Sequence, residues 1–177
     1  MFTTDIYRLV EKIKRRFHTT DPYEIAEICG IEVVSRKFDT MKGMYTVSEK
    51  NPYIFLNEEL DEYMERVVMF HELGHHFMHR YSAVSTFKEH TLYDMSSKME
   101  IEANTFTANF MISDEDIEQN SCYEYTSEQL ARSLCIPHEI LLIKLNDMND
   151  RGHNFCSHRT FRHRQKNITL YSFSFLF

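Results

Sequence analysis

The sequence of 177 residues lacks several features that would assign it to a membrane or an export pathway. It has no uninterrupted apolar run of about 18 residues, as a membrane-spanning helix would require, and no basic-led signal segment with a small-residue cleavage site. Its four cysteines include no C-x-x-C pair. Scattered cysteines of this kind are more often buried thiols than disulfides or metal ligands. These absences predict a cytoplasmic protein without membrane association.

Basic residues are also in short supply, because 20 Lys and Arg stand against 27 Asp and Glu, for a formal net charge of −7. This charge argues against direct binding of nucleic acid. Residues 151–177 have the opposite charge balance, because they carry five Lys or Arg and no acid. We therefore expect one domain over residues 1–150, followed by a basic and apolar tail over 151–177 that lies on the acidic body or meets a partner.

Against this background, residues 71–75 form the motif His-Glu-x-x-His in a stretch that predicts a helix running to about Arg80. Histidines four residues apart lie on one face of a helix, so His71 and His75 could share one metal ion. Glu72 points to the side, where a general base could reach a metal-bound water. A short motif can arise by chance. Here, however, the histidines share a face with apolar residues, where an unpaired polar group would be costly.

The third ligand distinguishes the possible classes of zinc site. Metzincin sites carry a third histidine ten residues after the first, a position that Tyr81 occupies here, so this class is excluded. His79 would lie about 12 Å along the helix axis from His71. For His79 we therefore favour packing, or contact with a ligand, over binding of the metal itself.

Two carboxylates on the next predicted helix are candidates for the third ligand. On a helical wheel Glu102 shares a face with the aromatic residue Phe106, whereas Glu100 points about 160° away from Glu102. An ionised carboxylate on a packed apolar face needs a cation nearby. The wheel therefore predicts Glu102 as the candidate ligand and Glu100 as an ordinary exposed residue.

The motif at 71–75, followed 27 residues after His75 by Glu-Ala-Asn-Thr-Phe-Thr-Ala, resembles the ImmA/IrrE family of metallo-endopeptidases. The resemblance covers roughly residues 22–143. It implies that His71, His75 and Glu102 bind Zn²⁺ and that Glu72 is catalytic. Members of this family are typically intracellular proteins of phages, mobile elements and stress regulons that cleave a partner helix-turn-helix repressor. The sequence departs from the family pattern at Thr107, where alanine is usual, and after residue 111, where Ile-Ser replaces Met/Leu-Pro.

The expected fold is a single α+β domain of zincin type, with a small sheet packed on the active-site helix and further helices around it. Strands are predicted at 31–34, 43–47 and 53–56, and the edge at 43–47 could hold a substrate as an added strand. Residues 81–97 predict a loop. Its members Tyr81, His90 and Tyr93 are candidates to bind the oxyanion, although surface roles are favoured for all three.

Two predicted helices at 126–134 and 137–148 superficially resemble a helix-turn-helix, but their exposed positions are not notably basic, so packing helices are favoured. The predicted function is therefore a zinc-dependent endopeptidase that cleaves a regulatory protein, a helix-turn-helix repressor of a phage or mobile element. The alternative is a non-proteolytic zinc-binding regulator that sequesters the repressor, and a helical protein without metal is a third possibility. Two His and one Glu leave a coordination position for water, which favours the enzyme.

Overall fold

The computed structural model describes residues 3–80, 97–120 and 125–155. The three candidates for binding the oxyanion, Tyr81, His90 and Tyr93, lie outside the described residues, as does most of the predicted tail. No helix in the described ranges is long and apolar enough to cross a membrane.

Two helices are followed by three consecutive strands, and every later element of the described chain is a helix. The elements are α1 (Thr3–Phe17), α2 (Pro22–Ile28), β1 (Glu32–Arg36), β2 (Gly43–Ser48), β3 (Asn51–Asn57), α3 (Glu62–His79), α4 (Lys98–Met111), α5 (Asp114–Asn120), α6 (Ser127–Ser133) and α7 (His138–Asp150).

The ends of the helices follow from local chemistry. Asp21 caps α2 by accepting hydrogen bonds from two backbone N–H groups of its first turn, and Gly30 follows the helix with a φ of +66°, a conformation that glycine adopts without strain. Asp61 caps α3 in the same way, through the N–H of Met64. The helix that carries the His-Glu-x-x-His motif therefore begins at a capped position and ends at His79, close to the predicted end.

The three predicted strands form one mixed sheet in the order β1-β3-β2, which confirms the α+β class. Strand β1 is parallel to β3, and β2 is antiparallel to β3. Glu49 and Lys50 connect β2 to β3 with φ values of +50° and +70°, as a two-residue hairpin turn requires. Strand β2 is therefore an edge strand of the described sheet, and it packs on α3.

Helix α3 lies between the sheet and α4, and the two helices approach closely at Gly74. A Cβ atom on Gly74 would lie 3.2 Å from the Cα of Ala103 and 3.4 Å from the Cβ of Phe106. A larger side chain at either small residue would force the helices apart. This crossing matters for the site because Gly74 lies within the motif and Ala103 lies among the candidate carboxylates of α4.

One hydrophobic cluster lies between the sheet and helices α1 to α4. A second forms where α3, α4, α5, α6 and α7 meet, and it includes Phe155. The Phe155 N–H donates to the side chain of Asn149, which donates in return to the Phe155 carbonyl, at 2.7 and 3.0 Å. Helices α6 and α7 both contribute buried residues here, as packing helices would. Phe155, which belongs to the predicted tail, therefore packs with the body, and the division at residue 150 stays a prediction.

A buried set of charges, the α7 ion-pair cluster, joins α7 to α4 and α5; it consists of Asp114, Lys144, Asp147 and Arg151. Lys144 is fully buried and donates to Asp114 at 2.6 Å and to the side chain of Asn109 at 2.8 Å. Arg151 donates two hydrogen bonds to Asp114 and one to Asp147. Two cations thus face two anions, and the cluster neutralises itself.

Candidate metal centre

Helix α3 presents the two histidines of its motif to a common point in the interior. The Nε2 atoms of His71 and His75 lie 3.2 Å apart. The two residues are 1% and 2% exposed. This is the arrangement that histidines four residues apart on one helix can provide.

Glu100 of α4 lies next to both histidines, at the position for which the helical wheel predicted Glu102. Its Oε2 lies 3.1 Å from the Nε2 of His71, and its Oε1 lies 3.4 Å from the Nε2 of His75. Glu100 is only 4% exposed, so the expectation that it is an exposed residue is wrong. One ligand atom from each of His71, His75 and Glu100 lies within 4.8 Å of the others. We refer to these three residues as the His-His-Glu group.

Glu102, the predicted third ligand, is buried but contacts a different histidine. Its Oε2 accepts a hydrogen bond from the Nε2 of His79 at 2.8 Å, and it is not part of the group that could hold a metal ion. The Nδ1 of His79 lies 3.2 Å from the Nδ1 of His75. Burial lowers the pKa of His79 and outweighs the opposing effect of its hydrogen bond with Glu102. The contact of Glu102 with the His-His-Glu group is therefore indirect.

Glu100 is buried, against the expectation from the helical wheel, because α4 is buried on nearly every side. It packs against α1, α3 and α7, and every residue from Glu102 to Phe110 is buried. An apolar neighbour therefore does not identify the side that faces the histidines. Ala103, at the crossing with Gly74, marks that side. So does the pair formed by Glu100 and Asn104, whose spacing of four residues repeats the spacing of the two histidines.

Asn104, which the sequence interpretation missed, holds the ring of His71. Its Oδ1 lies 3.0 Å from the Nδ1 of His71, and its side chain is fully buried. An amide oxygen can only accept a hydrogen bond, so the Nδ1 of His71 carries a proton and the Nε2 is left with its lone pair. That lone pair faces Glu100.

The nitrogen and oxygen atoms of the His-His-Glu group are better suited to binding a metal ion than to forming hydrogen bonds with one another. Because Asn104 fixes the tautomer of a neutral His71, the Nε2 of His71 and the carboxylate oxygens of Glu100 are acceptors of hydrogen bonds that face each other at 3.1 Å. Acceptors that meet in the protein interior need a cation between them. Two imidazole nitrogens and one carboxylate are a common set of zinc ligands, and they leave one coordination position for a water molecule. The residues present therefore suit a metal cofactor.

Glu72 follows His71 on α3 and has its carboxylate buried against β2. The side chain is 1% exposed, and its Oε2 has no hydrogen-bond partner among the described residues. Its other oxygen lies 3.2 Å from the position that a Cβ on Gly43 would take, and that Cβ would also overlap the side chain of Val68. Glycine at position 43 thus allows β2 to approach α3 this closely. A carboxylate oxygen without a partner, next to an edge strand, is available for proton transfer.

Strand β2 is also joined to α3 by a contact between Tyr45 of the strand and His76 of the helix. The Oη of Tyr45 lies 3.0 Å from the Nδ1 of His76. Burial lowers the pKa of His76 to about 4 and raises the pKa of Tyr45 to about 12. Both groups are therefore neutral at pH 7, and they share one hydrogen bond. This hydrogen bond holds β2 against α3.

The α+β fold, the helix with the His-Glu-x-x-His motif and the buried group at its centre define a metallopeptidase with a zincin-like fold. The chain belongs to the peptidase M78 family, described as the IrrE N-terminal-like domain, whose model matches residues 26–146. This result confirms the family resemblance found in the sequence and supports peptidase activity and a metal cofactor.

Two relatives extend the comparison. The chain is 30% identical over 142 residues to an uncharacterized immunity region protein 2 of Bacillus phage phi105, a match that covers 80% of this chain and 89% of the relative. It is 24% identical over 154 residues to the metallopeptidase ImmA of Bacillus subtilis strain 168, covering 84% of this chain and 89% of the relative. Both matches span most of the two chains compared.

Proposed function

We propose that this protein is a zinc-dependent endopeptidase that cleaves a regulatory protein, namely a helix-turn-helix repressor of a phage or mobile element. The observation that carries the proposal is the His-His-Glu group of His71, His75 and Glu100, with the buried carboxylate of Glu72 next to His71. Among common metals, zinc suits two imidazoles and one carboxylate best when a position stays open for water.

The residues divide the chemistry between them. Zinc at such a site would supply a Lewis acid that polarises the scissile carbonyl and makes a water molecule more acidic. Glu72 would accept the proton of the attacking water and then pass it to the leaving amine. Asn104 would hold His71 with its Nε2 turned toward the site. Strand β2 would offer its edge to an extended segment of the substrate through backbone hydrogen bonds.

The choice of substrate rests on the relatives rather than on the geometry. One relative is named as a phage immunity region protein and the other as the metallopeptidase ImmA. Phage immunity depends on repression, so a repressor is the protein whose cleavage would matter most in that setting. A helix-turn-helix repressor is therefore the first substrate to test.

The test compares Glu72→Gln with the wild-type protein in cleavage of a cognate helix-turn-helix repressor. Loss of a positioned general base should reduce the rate by about 10²–10⁴-fold, while the zinc content stays near that of the wild type, because Glu72 is not a proposed ligand. Glu115→Gln, a change at an exposed acid on α5, serves as the control and should cleave normally. Undiminished cleavage by Glu72→Gln would contradict the mechanism.

The same variant separates the alternative function from proteolysis. If the protein only sequesters the repressor, Glu72→Gln should relieve repression as well as the wild type does, because binding would not need the base. If it is a peptidase, relief of repression should disappear together with cleavage. A reporter gene under the repressor, measured with each variant, distinguishes these outcomes.

A further inference from the structure

His79 and Glu102 form a pair behind the metal centre that the proposed reaction does not use directly. Both are 8% exposed, and they are joined by the hydrogen bond of 2.8 Å between Nε2 and Oε2. The other ring nitrogen of His79 lies 3.2 Å from the Nδ1 of His75. The pair therefore touches one of the proposed ligands on the side away from the metal.

We propose that Glu102 and His79 are positioning residues that fix the tautomer and orientation of His75 for metal binding; this inference rests on the proposed metal site. An ionised carboxylate can only accept, so the Nε2 of His79 must donate to Glu102. The Nδ1 of a neutral His79 is then an acceptor, and it requires a proton on the Nδ1 of His75. That leaves the Nε2 of His75 with its lone pair.

The lone pair so produced points into the His-His-Glu group, because the Nε2 of His75 is the atom 3.2 Å from His71 and 3.4 Å from Glu100. Asn104 acts on His71 in the same way through a single hydrogen bond. Each ligand histidine thus has its own acceptor behind it. One acceptor is an amide oxygen and the other is a histidine that a carboxylate orients.

This arrangement gives Glu102 a role that differs from the one predicted from the sequence. It does not bind the metal but acts through two imidazole rings. Hydrogen-bonding partners behind a metal ligand typically change metal affinity by about 10–100-fold when they are removed. The pair should therefore matter for metal affinity without being required for stoichiometric binding at high metal concentration.

The test uses His79→Phe, which keeps a buried ring and removes both nitrogens, with His76→Phe as a matched control. His76 has the same 8% exposure on the same helix, but its hydrogen bond goes to Tyr45. Co²⁺ affinity of the full chain, measured by competition with a chelator, should fall about 10–100-fold in His79→Phe and stay near wild type in His76→Phe. Glu102→Gln should show a smaller loss in the same direction.

A second readout requires neither metal nor activity. In the metal-free wild-type protein, ¹⁵N NMR of the imidazole rings should show the proton of His75 on Nδ1, and this preference should weaken in His79→Phe. A proton on Nε2 of His75 in the wild type would overturn the inference, as would equal losses of Co²⁺ affinity in His79→Phe and His76→Phe. Failure to cleave a repressor would instead count against the proposed function alone, because neither readout depends on cleavage.

Discussion

Two buried polar clusters join helices in this protein, and their charges are balanced in opposite ways. In the α7 ion-pair cluster, Lys144 and Arg151 donate hydrogen bonds to Asp114 at 2.6 Å, so the chain itself supplies both signs of charge. In the His-His-Glu group, the facing atoms of His71 and Glu100, 3.1 Å apart, are acceptors when the histidine is neutral. The charges of the first cluster are balanced within the chain, whereas the second suits a cation from outside the chain.

This difference in charge balance shows how a structural polar cluster can be distinguished from a binding site when both are buried. Burial alone does not separate them, since Lys144 and His71 are almost equally inaccessible. What separates them is whether donors and acceptors match within the chain. A buried set of unmatched acceptors is energetically costly unless a cation lies among them, which is why we propose the His-His-Glu group as the functional site.

The largest change in stability is expected when the self-neutralised cluster is broken. Asp114→Asn removes the anion that Lys144 and Arg151 share and leaves two buried cations with too little countercharge. The free energy of unfolding, measured with urea, should fall by about 3–5 kcal/mol. The exposed change Glu115→Gln on the same helix should have little effect. Wild-type stability in Asp114→Asn would show that the cluster is not required for folding.

The same variant should alter the response to acid. Although burial acts to raise it, hydrogen bonds from Arg151 and Lys144 lower the pKa of Asp114 from 3.8 to about 2. Because the folded-state pKa is the lower one, this stabilisation is complete above about pH 4 and is lost as the pH falls toward 2. Acid unfolding curves of the wild type should contain this loss, and those of Asp114→Asn should lack it.

A smaller effect on stability is expected next to the metal centre, where β2 packs against α3. Gly43→Ala adds a methyl group that would overlap Val68 and lie 3.2 Å from Glu72 and 3.3 Å from the carbonyl of Phe55. Overpacking should cost about 1–3 kcal/mol of stability. Cleavage should also fall, because Glu72 is displaced, whereas metal content should remain.

Val68→Ala provides the control for this prediction, because it removes the atoms that the new methyl group would meet. Gly43→Ala should therefore be less destabilising when combined with Val68→Ala than when introduced alone. A double-mutant cycle on the free energy of unfolding measures this coupling. Additive effects would mean that β2 and α3 do not approach as closely as described.

The sequence predicted those features that depend on neighbours along the chain. The motif helix, its histidine pair and the three strands follow from helical spacing, capping residues and alternation. The choice between Glu100 and Glu102 does not, because it depends on where α4 crosses α3 at Gly74 and Ala103. Spacing along the chain also does not show that Arg151, in the predicted tail, donates to Asp114, 37 residues earlier.

The central claim is that His71, His75 and Glu100 hold the metal, and the most direct test is a zinc titration of Glu100→Ala and Glu102→Ala. Removal of a ligand should abolish stoichiometric zinc binding in Glu100→Ala. Glu102→Ala should still bind one zinc ion per chain when zinc is in excess, and Asp114→Asn should bind zinc like the wild type. Zinc retained by Glu100→Ala and lost from Glu102→Ala would contradict the account.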